Sequence, residues 1–364
     1  MTRGNSLTIG TLTPVPSFVA SEAMSTAAAQ VVALTKGPYR LSEDSEPKHV
    51  RLVPAAGAFP AIPEVHIVAF PSDAGGLQAL IAAFNRGEID VSVDVPAEAV
   101  GGLEHASVRH GPGDNTGLLF LNTESEGLAS AGARRSLAAA LNHADIAAAA
   151  HADDPEFAAL GLLPPSLQSS RPSEAWWPFD PVQAKDAFAP ERLAGRDLVM
   201  LTPWAPRPYL ADPWRAGEAV AEALALVGVA VTIKPAATPA EALSRACSGD
   251  YDLFLVGWSA DDLDPISFYE ALLHSESIPG GPRDLAASFN LGRIREPEID
   301  RVLAEVRARG GGSASAEIEA LAARYASVVP LCHGPSVMVT GPRVRALRLL
   351  AGGIVDVSDA EVLS

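Results

Sequence analysis

The sequence predicts an α/β protein that consists of two domains or of one large bilobed unit. The chain has 364 residues, of which 48% are hydrophobic, so it can bury a sizeable core. Residues 197–257 alternate apolar strand-like runs with helix-like segments, which is the pattern of a parallel βαβαβ unit. Residues 1–115 also mix short strands and helices, which predicts a first lobe ahead of that unit.

The first lobe is predicted from short strands separated by turns that contain Pro and Gly. A small-residue helix is predicted over residues 21–34. Apolar spacing predicts a second helix over residues 76–84, and the Asn-Arg-Gly sequence that follows is a typical helix end. The predicted strands lie at residues 7–10, at the end of 36–41, and at 50–53, 65–70 and 89–93.

The second lobe begins with an apolar strand at residues 116–123 and a helix at residues 132–150. Right-handed crossovers are expected to place the next three strands in one sheet. These strands lie at residues 197–201, 229–233 and 253–256, and the helices around them at 182–188, 211–226 and 239–248. The final predicted elements are helices at about 298–309 and 314–328 and strands at about 337–339 and 344–349.

One stretch combines a buried strand with an acidic loop. Residues 253–256 form an unbroken apolar run, as in a central strand covered on both faces. Gly257 is expected to end the strand, and Trp258 follows it. Three carboxylates come next: Asp261, Asp262 and Asp264. Two interpretations stay open, because the carboxyl end of a strand often binds ligands, while Asp264 before Pro265 is typical of a helix N-cap in a solvated loop.

Charge and hydropathy narrow the range of partners. The net charge of −17 argues against a nucleic-acid partner and fits a neutral or cationic ligand. No apolar run reaches the ~18–20 residues that a membrane span needs. The N-terminal residues lack a secretory signal pattern, so we expect a cytoplasmic protein unless a signal has been removed, in which case it is extracytoplasmic.

Common signatures of enzymes and metal proteins are missing from the sequence. It contains no Gly-rich nucleotide loop, no metalloprotease helix motif and no nucleophile-elbow motif. The eight His residues, with His49 and His66 among them, do not cluster at metal-ligand spacing. Cys247 and Cys332 are expected to be two buried thiols, with one disulfide as the alternative. We therefore predict no cofactor and no bound metal.

Two pairs of adjacent residues have more than one interpretation. Trp176 and Trp177 place large apolar surfaces in a loop, where they either pack between lobes or line a cleft. Arg134 and Arg135 begin a helix, where positive charge is unfavourable with the helix dipole. A tertiary partner or a solvated pair would each explain these arginines.

Seven segments spread over residues 37–273 match a known family in the same order. They are 37–41 (GPYRL), 84–90 (FNRGEID), 119–123 (LFLNT), 133–142 (ARRSLAAALN), 161–165 (GLLPP), 179–185 (FDPVQAK) and 251–265 (YDLFLVGWSADDLDP). Together they resemble the family-5 extracellular solute-binding proteins, the dipeptide-, oligopeptide- and nickel-binding components of ABC importers. One segment alone is a weak match, whereas seven in register are specific.

The resemblance implies a two-lobed, periplasmic-binding-protein-like α/β fold in which each lobe is a mixed sheet flanked by helices. Lobe I would comprise residues 1–115 and 336–364, and lobe II residues 116–335. The hinge crossings would lie near residues 116–123 and 333–337. A ligand would be held in the cleft between the two lobes.

The resemblance also assigns candidate ligand contacts. In peptide-binding members, the Asp that follows the Trp holds the α-ammonium group of the ligand, and the matching residue is Asp261. A carboxylate at a strand end beside a Trp would form a charge-assisted hydrogen bond in a reduced dielectric. The other predicted ligand-binding residues are Tyr39, Asn122, Trp176, Trp177 and Trp258.

The chain departs from the family pattern at three places. About 27 residues separate Gly10 from Gly37, where family members carry an extra subdomain. Asn142 and His143 replace the usual Asp-Arg pair. Leu255 lies in the region where many peptide binders have a basic residue.

Three hypotheses about function follow. The first is binding of a short peptide, amino acid or other amine-bearing small molecule, as an importer component that works with an ABC permease. The second is a cytoplasmic biosynthetic enzyme, in which Asp261 or Asp262 performs acid–base or cation-stabilising chemistry on a peptide-like substrate. The third is a cytoplasmic sensor or peptide chaperone.

Overall fold

A computed structural model describes most of the chain. The described residues are 6–13, 30, 34–46, 48–71, 74–93, 95, 97–111, 113–151, 154–169, 172–191, 195–203, 207–260, 264–280, 288–310, 315–350 and 354–363. The predicted helix at residues 21–34 falls largely outside them, as do Asp261 and Asp262.

The chain divides into two compact units. Among the described residues, unit 1 comprises those up to Gly113 and those from Pro335 onward, and unit 2 comprises those from Asp114 to Gly334. The lobes that the family resemblance implies, with boundaries after residues 115 and 335, stay a prediction. Closure of the lobes, the cleft between them and the hinges stay predictions.

Unit 1 contains a mixed sheet with the strand order β2-β3-β4-β1-β5-β12-β6. In chain order its strands are β1 (Ser6–Thr13), β2 (Tyr39–Leu41), β3 (His49–Pro54), β4 (Glu64–Pro71), β5 (Val91–Ser92), β6 (Ser107–Gly111) and β12 (Ser336–Thr340). The central strand β1 is parallel to β4 and β5, whereas the outer pairings are antiparallel.

The two faces of this sheet have separate apolar cores. Alternate residues of β1, such as Leu7 and Ile9, join Leu52 and Ile67 in the core on one face. The short strands β13 (Val344–Arg345), β14 (Arg348–Leu350), β15 (Ile354–Asp356) and β16 (Glu361–Val362) contribute to the same core. On the other face, helix α1 (Ala74–Asn85) packs through a second core that includes Leu80. Because α1 covers only part of that face, an open cavity remains beside it.

Unit 2 contains a sheet with the strand order β11-β7-β10-β8-β9. The strands are β7 (Asn115–Leu121), β8 (Asp197–Thr202), β9 (Ala230–Pro235), β10 (Leu253–Ser259) and β11 (Val328–Cys332). Strands β8, β9 and β10 are parallel, and β7 runs antiparallel to both of its neighbours. The predicted βαβαβ unit is therefore confirmed, and the predicted α/β class with mixed sheets is confirmed as well.

Helices cover both faces of the unit 2 sheet. They are α2 (Ala131–Ala139), α3 (His143–Ala150), α4 (Pro181–Glu191), α5 (Pro213–Leu226), α6 (Pro239–Ser248), α7 (Pro265–Leu273), α8 (Pro297–Ala308) and α9 (Ser315–Tyr325). Side chains of β10 alternate between two cores, with Phe254 and Val256 in one and Leu253 and Leu255 in the other. Because both faces of β10 are buried, its sequence is a continuous apolar run.

Two predictions about single elements of unit 2 are wrong, and the strand predicted over residues 344–349 is two short strands, β13 and β14. Residues 132–150 form two helices, because Asn142 has an extended backbone and its side chain accepts a hydrogen bond from Ala144 N, which caps α3. Gly257 does not end its strand, since β10 continues to Ser259 with Gly257 paired to Gly117. By contrast, the predicted cap at Asp264 is confirmed, since its carboxylate accepts from Ile266 N at the start of α7.

The described residues also bear on cysteine pairing and membrane insertion. Cys332 is buried, Cys247 is half-buried, and both are free thiols. Within the parts of the chain that the structure describes, no helix is both long enough and apolar enough to span a membrane.

Candidate functional site

The candidate site lies at the end of the unit 2 sheet where β10 finishes. β10 is buried until Trp258, and Ser259 is the first exposed residue. Ala260 N then donates a hydrogen bond to the carbonyl oxygen of Asp114 at 2.7 Å. The chain is next described at Asp264, where it caps α7. The segment that carries Asp261 thus connects two residues with fixed partners in unit 2.

Trp258 belongs to the core beneath this end of the sheet. Its side chain is 4% exposed, and its ring centroid lies 4.5 Å from that of Phe289. An indole held in this way fixes the direction in which the chain leaves β10. Trp258 can therefore position the acidic segment whether or not it contacts a ligand.

A pair of glycines brings another segment onto the same end of the sheet. Gly117 of β7 and Gly257 of β10 are directly paired. A Cβ atom at Gly257 would overlap the ring of Tyr209, and one at Gly117 would lie 2.7 Å from the Tyr209 carbonyl oxygen. Because neither residue has a side chain, Tyr209 packs directly on the two strands. Burial raises the pKa of its phenol, so the ring stays neutral.

Polar groups from the start of β7, from the turn at residues 161–165 and from residues 333–334 meet at this end of the sheet. Thr116 Oγ1 donates to the carbonyl oxygen of Leu162 at 2.9 Å and lies 3.1 Å from His333 Nδ1. Asn115 Oδ1 accepts from Gly334 N at 3.0 Å. These contacts tie the start of β7 to the chain beyond β11.

Asp114 adds a carboxylate to the same end. Burial raises its pKa, against the opposing effect of a hydrogen bond from the Asn115 side chain. A carboxylate that is poorly solvated gains most from a cationic partner. Asp114 was missed by the sequence analysis, because one acidic residue between a Gly and an Asn forms no recognisable motif.

The sequence model of the bacterial extracellular solute-binding proteins, family 5 Middle, matches residues 4–280 of the chain. That match covers more than half of the chain and includes β10 and the segment that follows it. The chain belongs to family 5 of the bacterial extracellular solute-binding proteins. The resemblance drawn from the seven sequence segments is thus confirmed.

Curated relatives of this family-5 protein include peptide-binding proteins. It is 25% identical over 287 residues to the probable di/tripeptide-binding protein 5 of Pseudomonas aeruginosa, which covers 76% of this chain and 52% of the relative. It is 26% identical over 273 residues to the probable ABC transporter periplasmic-binding protein SapA of Escherichia coli, covering 73% and 48%. The chain thus spans about half the length of these relatives.

Solved structures share the fold of this family-5 protein. HbpA2 from Haemophilus parasuis superposes with a TM-score of 0.70 at 18% identity, covering 90% of this chain and 64% of that one. A dipeptide-binding protein from Pseudoalteromonas sp. SM9913 in complex with Met-Leu superposes with a TM-score of 0.62 at 21% identity, with the same coverage. The predicted periplasmic-binding-protein-like fold is confirmed.

Asn122 lies at the opposite end of the sheet from the candidate site of this family-5 protein. It follows β7, which is antiparallel to β10, and the residue opposite Trp258 is Thr116, about 20 Å away along the strand. The Asn122 amide donates to the carbonyl oxygens of Gly249 and Tyr251 at 3.1 and 2.8 Å. These described contacts of Asn122 are structural, and its ligand contact stays a prediction.

The two adjacent tryptophans divide between the two cores of unit 2. Trp177 is 8% exposed and belongs to the core that contains Leu255, whereas Trp176 is partly buried and packs against both cores. Their rings meet edge to face, with centroids 5.3 Å apart. Packing within unit 2 accounts for most of their surface, and a role as cleft wall stays a prediction for both.

A carboxylate near Trp176 fixes the turn at residues 161–165. Glu319 accepts a hydrogen bond from the Tyr269 hydroxyl at 2.8 Å and from the backbone N–H of Leu162 at 3.2 Å. A further hydrogen bond comes from the Trp176 side chain. Burial nevertheless raises the pKa of Glu319. Glu319 of α9 thus holds the turn at residues 161–165 in place.

Tyr39 is the one predicted contact that belongs to unit 1. Its side chain is 3% exposed, and its hydroxyl donates to the Ile62 carbonyl oxygen at 2.8 Å. Burial raises the pKa of this hydroxyl. The visible contacts of Tyr39 are therefore structural, and its ligand contact stays a prediction.

Proposed function

We propose that this chain binds a short peptide, an amino acid or another amine-bearing small molecule as the substrate-binding component of an ABC importer. In this proposal Asp261 accepts hydrogen bonds from the ligand ammonium group, and Trp258 holds the segment that presents it. The partner is an ABC permease, and the protein works outside the cytoplasm. The observation that carries the proposal is the family match, which extends through β10 and its acidic exit.

The surroundings of the exit support a cationic ligand group. Asp114 adds a second carboxylate at the same end of the sheet, and its raised pKa reflects poor solvation. The net charge of −17 favours the approach of a cation over that of an anion. One relative is named a probable di/tripeptide-binding protein, which fits this ligand class.

The first experiment identifies the ligand class. Native mass spectrometry of the purified protein should reveal a co-purifying peptide or amine, and calorimetric titration with dipeptides, beginning with Met-Leu, should give a dissociation constant. The ligand should be recovered with unchanged mass, since the proposal includes no chemistry. Conversion of the ligand would favour the enzyme hypothesis instead.

The anchor role of Asp261 is tested by Asp261→Asn. We expect a loss of about 2–4 kcal/mol in binding free energy, because a buried ammonium group would lose its charged partner. Asp262→Asn is the matched control, since it makes the same charge change one residue away. An N-acetylated peptide should bind Asp261→Asn and the unchanged protein equally, because it has no ammonium group to lose. Equal losses in both variants with the free peptide would reject the anchor role.

A further inference from the structure

The open cavity of unit 1 contains a pair of histidines that face one another. The cavity has a volume of about 660 Å³ and lies between α1 and the sheet. His49 and His66 line it, together with Ser6 and Thr8 of β1. His49 Nε2 and His66 Nδ1 are 2.9 Å apart, and the ring centroids are 5.1 Å apart.

The register of two antiparallel strands brings these rings together. His49 of β3 is paired with Val68 of β4, and His66 is paired with Arg51. The two histidines are therefore diagonal neighbours on the same face of the sheet, within reach of long side chains. They are 17 residues apart in the sequence, which is why no metal-ligand spacing is visible there.

Glu64 sets the tautomer of His66. Its Oε1 lies 2.9 Å from His66 Nε2, and it also accepts a hydrogen bond from Arg51. An ionised carboxylate can only accept, so the His66 ring proton lies on Nε2, and His66 Nδ1 accepts a hydrogen bond from His49 Nε2. A carboxylate behind a histidine is the usual arrangement that orients a metal ligand.

We infer that His49 Nε2 and His66 Nδ1 together bind one divalent transition-metal ion, with Cu²⁺ preferred over Ni²⁺ and Zn²⁺. Two imidazole nitrogens that each lie about 2.0–2.1 Å from a metal are about 2.9 Å apart when they occupy adjacent corners of a square. The hydrogen-bonded separation of 2.9 Å equals this value, so a metal ion can replace the shared proton once the two rings turn to aim their lone pairs at one point. Binding moves the His49 ring proton from Nε2 to Nδ1 and breaks the hydrogen bond between the rings, which frees the Nε2 lone pair for the metal.

The protein supplies only part of the coordination sphere. Among the described residues, no group of three or more His, Cys, Asp or Glu side chains could hold a metal ion. The other coordination positions of the ion therefore face the cavity and are filled by water or by a small chelating molecule. Imidazole ligands and the order of divalent-ion affinities favour Cu²⁺, and the net charge of −17 raises the local concentration of cations.

The test uses the full chain without an affinity tag and Cu²⁺ alone as the probe. Equilibrium dialysis should show one tightly held ion per chain, and electron paramagnetic resonance should show coupling to two imidazole nitrogens. His49→Ala and His66→Ala should each weaken Cu²⁺ binding by roughly tenfold or more. Loss of a group that only orients a metal ligand already weakens metal binding by about ten- to a hundredfold, so loss of a ligand should cost at least as much. The double variant should lose the ion.

His105→Gln is the matched control, because His105 is exposed in unit 1 and lies outside the cavity. It should bind Cu²⁺ as tightly as the unchanged protein. The inference is overturned if the unchanged chain holds no ion, if the double variant keeps it, or if His105→Gln loses it equally. Because His49 is exposed, its variant should fold, and circular dichroism checks that each variant does so.

Discussion

Arg134 shows how one buried cation can organise its surroundings. Its guanidinium donates to the carbonyl oxygens of Leu128 and Ala129 at 2.7 and 2.8 Å and to that of Tyr325 at 3.0 Å. Tyr325 is the last residue of α9, so this cation also complements the negative end of that helix dipole. Burial lowers the pKa of Arg134 to about 10, which leaves it charged at neutral pH. The sequence left open whether Arg134 has a tertiary partner or is solvated, and these carbonyl oxygens are its partner.

Replacing Arg134 should destabilise unit 2. We expect Arg134→Met to cost roughly 2–4 kcal/mol of unfolding free energy, because it leaves buried carbonyl oxygens without a donor. Urea unfolding measures this cost. Arg135→Met is the matched control, since Arg135 is exposed and makes one bond, to the Arg324 carbonyl oxygen, so it should stay within about 0.5 kcal/mol. Similar effects of the two changes would show that Arg134 contributes no more than a solvated arginine.

Strands β7 and β10 form the framework of the candidate site. Their paired glycines have no side chains, so Tyr209 packs directly against the two strands. The neighbouring Trp258 packs in the core against Phe289. The strand therefore continues past the glycine that the sequence analysis took for its end. A glycine in a strand can mark close packing of another segment as readily as a break.

Gly257→Ala should disturb this framework. The added methyl group would collide with the Tyr209 ring and with the backbone of β7, and overpacking of this kind costs on the order of 1–3 kcal/mol. Thermal or urea unfolding should show the loss, and weaker ligand binding should accompany it if the exit of β10 shifts. Gly101→Ala is the control, because its Cβ would meet no atom within 4 Å. A Gly257→Ala protein as stable as the control would contradict the packing of Tyr209.

Each described apolar core belongs to one unit. The cores around Leu52 and Leu80 consist of unit 1 residues, and those around Leu255 and Phe254 consist of unit 2 residues. The sheet of unit 1 combines strands that are distant in the sequence, since β12 pairs with β5 and β6. This arrangement favours local unfolding in two blocks.

A cavity made in one core should therefore weaken one unit. Leu52→Ala and Leu255→Ala each remove a fully buried side chain and should cost about 2–5 kcal/mol in their own unit. Hydrogen exchange followed by mass spectrometry should show faster exchange in β3 and β4 for the first variant and in β7 and β10 for the second. Faster exchange in both units from either change would contradict separate blocks.

Local patterns predicted much of the fold and part of the site. The apolar run of β10, the strand–helix alternation after residue 197 and the cap at Asp264 each depend on near neighbours in the chain, so they could be predicted from it. The single helix predicted over residues 132–150 was wrong, because a helical apolar pattern continued across the capping residue Asn142. The carboxylate of Asp114 gave no such signal, because its importance depends on the strand end beside it.

Local sequence patterns identify the family, the mixed sheets of the two units and the acidic segment after Trp258, because hydrophobic periodicity and ordered motifs are properties of consecutive residues. Contacts between distant residues arise only when the chain folds. Folding pairs Gly117 with Gly257 beneath Tyr209, joins Arg134 to a helix end 191 residues away, and places His49 against His66. Periodicity fixes the face on which a side chain lies, whereas strand register fixes its partner, so periodicity alone could not predict these contacts.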